Sequence, residues 1–255
     1  MDTQSLFSLA GRTALVTGGS RGIGKMIATG FIAQGAKVYI SSRKADVCEA
    51  VAEELGPNCI AVPQDISTVD GCKALTATMA EHESGIDILV NNAGAAWGES
   101  FETFPEAGWD KVMDLNVKSI FFLTQAMHGL LKAGASDEQP TKVINIASID
   151  GLRLNPWETY SYQASKAAVI NLTKRLAARL VKDGILVTGI APGAFASERI
   201  KPHETWATLW ASTCRWGASV TTRIWREWRF ILRRARVTTW WARPSRLMAA
   251  WCTPS

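Results

Sequence analysis

A chain of 255 residues fits one domain with a substantial core, and no segment offers the roughly 18 uninterrupted apolar residues of a membrane span, so a soluble, cytoplasmic protein is expected. Five cysteines, Cys48, Cys59, Cys72, Cys214 and Cys252, lack CxxC spacing, which excludes a zinc cage and a disulfide framework and leaves reduced, structural thiols. The net charge of +5 comes from the last quarter: residues 197–255 hold ten arginines, one lysine and three glutamates, so the slightly acidic body before them gives no case for nucleic-acid binding.

In chain order, Thr13–Thr17, Lys37–Ser42, Cys59–Pro63, Ile86–Asn91, Lys142–Ala147 and Leu186–Ala191 are short apolar, β-branched runs and are predicted strands. Ile23–Gln34, Ala45–Leu55, Val69–His82, Trp109–Leu131 and Ser161–Lys182 carry helical periodicity, with Gly35, Gly56-Pro57, Gly85 and Gly184 at their ends. Strands apolar on both faces, alternating with helices, predict an α/β fold with a doubly wound parallel sheet covered on both sides. Ligands of such sheets sit at the carboxyl ends of the strands.

The first strand runs into Thr17-Gly18-Gly19-Ser20-Arg21-Gly22-Ile23-Gly24 and then a helix, the context of a phosphate-binding glycine loop. Positions without side chains let the backbone approach a pyrophosphate, and the helix N-terminus offers free N–H groups. Where a fold preferring NAD places Asp or Glu at the end of strand two, this chain has Ser41-Ser42-Arg43-Lys44. A guanidinium fork suits a 2′-phosphate, so Arg43, helped by Ser42 and Arg21, points to NADP; Asp46 is the argument for NAD. Asp65-Ile66 ends strand three, where a carboxylate would accept from an adenine amino group. Asn91-Asn92-Ala93-Gly94 closes strand four with amides that bind backbone and small residues that leave space. Ordinary turns and solvated surface charges are the plain alternative to each.

Tyr162-Gln163-Ala164-Ser165-Lys166 opens the fifth long helix, and a spacing of four puts phenol and ammonium on one face, one turn apart. A free phenol titrates near roughly 10; the Lys166 charge favours the phenolate, and an oxidised nicotinamide would add a second positive charge. Tyr160 has no such partner, since Ala164 is its fourth neighbour. Ser148, ending strand five, would bring a hydroxyl to the same crevice.

Taken in order, Thr17–Gly24, Asn91–Gly94, Ser148, Tyr162–Lys166 and Pro192-Gly193 resemble the motifs of the short-chain dehydrogenase/reductase family, over residues 8–196. Leu9–Val16, and Trp97-Gly98 before Gly108-Trp109, make the body similar to the 3-oxoacyl reductases, including the branch linked to rhamnolipid synthesis. The resemblance implies a single-domain Rossmann fold over residues 1–196 and reduction of a ketone, a 3-oxoacyl thioester or similar, with hydride from NADPH. It implies that Tyr162 protonates the carbonyl oxygen, Ser148 hydrogen-bonds it, Lys166 also holds the nicotinamide ribose, and Asn116, within Asp114-Leu115-Asn116-Val117, anchors a relay water; a capped backbone kink inside the helix is the plain alternative for Asn116. No metal enters this scheme. The family also implies a homo-oligomer, dimer or tetramer, if the C-terminus is native-like. Trp97, Leu152, Trp157 and Phe195 suit an apolar wall for an acyl chain, and Lys132 and Lys182 suit an acidic acyl carrier protein, although ordinary core or surface roles explain all six. His82, His128 and His203 have no ligand spacing. Another ketone, alcohol or sugar dehydrogenase of the same family is the first alternative; a non-catalytic relative whose tail mediates interactions is the second.

Residues 197–255 form an atypical tail with eight of the eleven tryptophans and a single glycine, Gly217. The family continues after Pro192-Gly193 with a substrate loop, a helix and a seventh strand ending near Asp-Gly-Gly. Regrouping the last base of each codon with the first two of the next permits Ala-Gly-Val-Ala-Ile-Tyr-Leu-Ala-Ser-Arg-Ala-Gly-Asp-Tyr-Val-Val-Gly over Arg226–Ala242, and an Asp-Gly-Gly ending over Arg243–Thr253. A shifted reading frame from about residues 198–206 onward is therefore expected. The competing reading takes the tail literally, as an Arg/Trp surface for membrane or nucleic acid.

Overall fold

In the computed structural model, which describes residues 7–193, the six apolar runs form one parallel sheet. Its strands are β1 (Thr13–Thr17), β2 (Lys37–Ser41), β3 (Cys59–Ala61), β4 (Ile88–Asn91), β5 (Thr141–Ile146) and β6 (Ile185–Ile190), in the order β3-β2-β1-β4-β5-β6. The order reverses direction between β1 and β4, which opens a crevice at their carboxyl ends. Val16 pairs with Val90 there, and Asn91 with Asn145 on the other side of β4.

Period-two alternation explains why both sheet faces are apolar. Leu15, Tyr39, Leu89, Val143 and Val187 point one way, into a core with Leu75, Met79, Leu123, Leu131, Leu176 and Leu180. Their neighbours Ala14, Val16, Val38, Ile40, Ile88 and Val90 are equally buried on the opposite face. That face is covered by α1 (Gly22–Ile32) and α2 (Ala45–Leu55), whose buried residues are Gly24, Ile27, Ala28, Phe31, Cys48, Val51 and Ala52. The first core is completed by α3 (Val69–His82) and by α7 (Tyr160–Leu180). Thr68 caps α3 by accepting from the Gly71 N–H at 3.1 Å, which satisfies one of the free donors of its first turn.

One expectation needs correction. The stretch Trp109–Leu131 is not a single helix but α4 (Glu106–Met113), a π-helical turn at Asp114–Lys118, α5 (Ser119–Ala126) and, after a break at Met127, α6 (His128–Gly134). In the π turn the Ser119 N–H reaches back five residues to the Asp114 carbonyl, so one extra residue is inserted without disturbing the apolar stripe. Periodicity alone does not register such an insertion. Asn116 lies in this turn.

Residues 8–193 make one compact unit. The tail expected at 197–255, its shifted frame, Phe195, His203, Cys214 and Cys252 lie outside the described residues. Among those described, no helix is long and apolar enough to cross a membrane. Cys48, Cys59 and Cys72 are buried and free; burial raises the Cys59 and Cys72 thiols to about 11, so they stay protonated and inert.

Candidate active site

Because all six strands are parallel, every expected site residue that follows a strand falls at the same end of the sheet. Thr17 ends β1 and the glycine loop follows it, Ser42-Arg43 follow β2, Asp65-Ile66 lie beyond β3, Asn92-Ala93-Gly94 follow β4, Ser148 follows β5 and Pro192-Gly193 follow β6. The Ile149 N–H bonds the Pro192 carbonyl at 3.1 Å, which ties the last two together.

The β1–β4 junction is clasped by side chains. Thr17 Oγ1 accepts from the N–H groups of Asn92 and Ala93, each at 3.0 Å, and donates to the Val90 carbonyl at 3.2 Å. Asn92 Nδ2 returns to the Thr17 carbonyl at 2.9 Å and the Gly18 carbonyl at 3.3 Å. Gly18 has φ +65, and a Cβ at Gly24 would overlap the Gly18 carbonyl oxygen, so the loop closes this tightly only without side chains there. Gly22, at φ +51, is the opposite case: a Cβ built on it meets nothing within 4 Å, which leaves open space over the first turn of α1. That turn has no acidic residue and no side-chain cap, so its N–H groups remain available to an anion. Ser20 and Ile23 are half-buried, and Arg21 is exposed at the loop's edge. Ser42 is half-buried with its hydroxyl 3.3 Å from the Lys44 carbonyl, while Arg43 and Asp46 are exposed. Asp65 is exposed and caps the Ser67 N–H at 3.0 Å; Ile66 is core. These residues fit a dinucleotide: open space where a Cβ would sit, an uncapped helix start, and a cation with no carboxylate directly at the end of β2.

At the other half of the crevice, Lys166 is 5% exposed, donates to the Ile146 carbonyl at 2.7 Å, and holds its Nζ 5.6 Å from the centroid of the Tyr162 ring. Burial lowers its pKa to about 8, opposed by the nearby Asp150 carboxylate. An ammonium at that value is still mostly charged at neutral pH. Ser148 Oγ accepts from the Asp150 N–H at 3.2 Å, so its own hydrogen is left to donate. The turn that follows, Ile149–Gly151, lies directly on α7: a Cβ at Gly151 would stand 2.5 Å from the Lys166 carbonyl carbon. Gly151 thus sets the distance between the Ser148 loop and the helix bearing Tyr162 and Lys166.

Asn116 is fully buried on the π turn, and its amide is spoken for. Oδ1 accepts from the Ala95 N–H at 2.8 Å; Nδ2 donates to the Ala95 carbonyl and to Ser165 Oγ, each at 2.9 Å. Ser165 Oγ donates in turn to the Tyr162 carbonyl at 2.7 Å. Gly94 sits against this pair, since a Cβ there would be 3.2 Å from Asn116 Oδ1. Behind the crevice Asn91 Nδ2 bonds Asn145 Oδ1 at 2.9 Å, and Asn145 Nδ2 bonds Thr173 Oγ1 at 2.9 Å, a buried polar chain from β4 to α7. Ser165, Ala95, Gly151, Asn145 and Thr173 were missed as site supports. Only Ser165 had a signal, its place between Tyr162 and Lys166.

Tyr160 is held elsewhere: its hydroxyl donates to Glu158 Oε1 at 2.7 Å and its ring meets Phe101 and Phe104 edge-on. Trp97 packs on α4, where a Cβ at Gly108 would be 2.8 Å from its ring, with Lys111 Nζ 5.1 Å from the ring centroid. Leu152 is exposed and Trp157 half-buried. Lys132 and Lys182 lie at the amino ends of the strands, about 24 Å along α7 from Lys166 in the case of Lys182. Lys132 Nζ is 3.8 Å from Asp183, a carboxylate that also holds His128 and Arg179.

The profile of the family described as short chain dehydrogenase matches residues 12–208. Over 193 residues the chain is 48% identical to the rhamnolipids biosynthesis 3-oxoacyl-[acyl-carrier-protein] reductase of Pseudomonas aeruginosa, covering 75% of each chain. It is 34% identical over 224 residues to the 5-keto-D-gluconate 5-reductase of Escherichia coli, covering 83% of this chain and 85% of the other. Among solved structures it is similar to the RhlG/NADP active-site complex of Pseudomonas aeruginosa, with a TM-score of 0.84 and 40% identity, over 89% of this chain and 91% of that one.

Proposed function

This chain belongs to the short-chain dehydrogenase family, and from that premise we propose that it reduces a ketone, a 3-oxoacyl thioester or a close analogue, with NADPH. The observation that carries the reading is the buried Lys166 ammonium lying over the Tyr162 ring, beside the strand end that presents Ser148. When bound, the reduced dinucleotide supplies the hydride. Thr17, Gly18, Ser20, Arg21, Gly22, Ile23 and Gly24 would hold its pyrophosphate, Ser42 and Arg43 its 2′-phosphate, Asp65 and Ile66 its adenine, and Asn92, Ala93, Gly94, Pro192 and Gly193 its nicotinamide half. The solved relative carrying NADP supports this choice over NAD.

The rest is chemistry of the chain's own side chains. Ser148 donates to the carbonyl oxygen of the substrate, because the Asp150 N–H occupies a lone pair and leaves the hydroxyl hydrogen free to turn outward. Tyr162 delivers the proton to that oxygen, and Lys166 eases the delivery by stabilising the phenolate left behind. One of the three Lys166 hydrogens is committed to Ile146, so two remain for the nicotinamide ribose. Asn116 orders the water that returns a proton to this pair. Both of its N–H donors are spent on Ala95 and Ser165, so it would hold that water only through an acceptor oxygen. The relatives support a 3-oxoacyl substrate and, as a second reading, a sugar ketone.

The test is NADPH oxidation with a panel of 3-oxoacyl thioesters, diketones and sugar ketones. Turnover of the thioesters that is lost in Tyr162→Phe is expected. No oxidation with any member of the panel refutes the reading, and turnover of sugar ketones alone replaces it with the second.

A further inference from the structure

Between β5 and α7 the chain passes from Ser148 to Tyr162 through a loop whose Leu154 is 90% exposed. The loop nevertheless has a fastening. Gln163 Nε2 lies 3.2 Å from Asn155 Oδ1, 3.2 Å from the Trp157 carbonyl and 3.3 Å from Thr159 Oγ1. A backbone carbonyl can only accept, so the end of the amide facing the loop is its donor end. Asn155 Oδ1 also takes the Trp157 N–H at 2.9 Å, and the Thr159 N–H bonds the Trp157 carbonyl at 2.8 Å. Residues 155–159 thus turn back on themselves, and the two amide hydrogens of Gln163, which directly follows Tyr162, are shared among three acceptors there. One wall of the loop faces a groove of about 530 Å³ lined by Trp109, Leu154, Trp157, Tyr160 and Gln163, which lies within the volume range of small-ligand sites.

We propose that Gln163 is a positioning and specificity-determining residue, a clamp that fixes the 155–159 loop and its groove relative to Tyr162 and so sets how well a long apolar substituent on the ketone is accepted. This rests on the reductase reading above. Asn116 and Ser165 hold the Tyr162 turn from the α4 side; Gln163 holds it from the loop side. The clamp carries no charge, so it shapes the groove without attracting ions to it.

The test compares the whole chain with Gln163→Met, which keeps length and bulk but has no donor, and Gln163→Lys, which again presents N–H groups to the three oxygens. Two readouts are taken: hydrogen exchange of the Trp157 to Tyr160 amides, and the ratio of kcat/KM for 3-oxododecanoyl over 3-oxobutanoyl N-acetylcysteamine thioesters. In Gln163→Met the exchange is expected to quicken and the ratio to fall, each by roughly tenfold, the scale of one or two net hydrogen bonds, with the exchange recovering in Gln163→Lys. Unchanged exchange in Gln163→Met overturns the clamp, and faster exchange with an unchanged ratio overturns its role in specificity. If the parent chain reduces neither thioester, the reductase reading has failed, and the clamp is decided by the exchange measurement alone.

Discussion

Replacing Lys166 with methionine should abolish turnover and yet make the fold more stable at neutral pH. Burial lowers the Lys166 pKa from 10.5 to about 8, partly offset by Asp150, so the folded chain binds this proton less tightly than the unfolded chain does. Between those two values the unfolded state holds more protons, and stability therefore rises with pH. At about 1.4 kcal/mol per pK unit, a charged Lys166 costs the fold on the order of 3 kcal/mol at pH 7, and roughly 2 kcal/mol of that is recovered by pH 9.5. Methionine removes the ionisation but strands the Ile146 carbonyl, a loss of about 1–2 kcal/mol, so Lys166→Met should be stabler than the parent by about 1–2 kcal/mol at pH 7. The assay is urea denaturation of both proteins, without dinucleotide, at pH 7 and pH 9.5. The parent should gain on the variant by about 2 kcal/mol across that interval. Stability curves that stay parallel between the two pH values would refute the reasoning.

Three further outcomes are expected. Arg43→Ala should weaken NADPH binding by tenfold to about a hundredfold while sparing NADH, as loss of charge-assisted bonds to one phosphate requires; fluorescence titration with both nucleotides reads it, and equal losses would remove Arg43 from the 2′-phosphate site. Gly24→Ala, which forces a methyl onto the Gly18 carbonyl, should cost on the order of 1–3 kcal/mol in denaturation, whereas Gly22→Ala, strained only by its φ of +51, should cost about 1 kcal/mol and act mainly by weakening dinucleotide binding. Resequencing the gene across codons 198–206 should reveal a single-base shift, and a clean, unshifted open frame would reject that account of the tail.

The strands and the glycine loop were legible because their causes are local. An apolar run bounded by breakers has few alternatives to a strand in a buried sheet, and Thr17–Gly24 carries its own conformational demands at Gly18 and Gly22. The Tyr162–Lys166 pair was legible for the same reason, since a spacing of four on a helix fixes a common face. The π turn at Asp114–Lys118 was not. Its inserted residue leaves the apolar pattern intact, and Asn116 is held there by Ala95 and Ser165, 21 and 49 residues away. The contact of Trp97 with the bare backbone at Gly108 likewise leaves no trace as a pattern.

What the sequence determined by itself was the inventory: six strands, a glycine loop, a cation in place of a carboxylate after β2, and a phenol beside an ammonium. Tertiary structure alone decided which of these meet and how they are tuned. Only the packed sheet buries Lys166 enough to bring its pKa to about 8, presses Gly151 onto the helix that carries it, and leaves Lys132 and Lys182 at the far end. The physical reason is that local conformation follows from neighbours in sequence, whereas desolvation and side-chain contact depend on residues that only folding brings near.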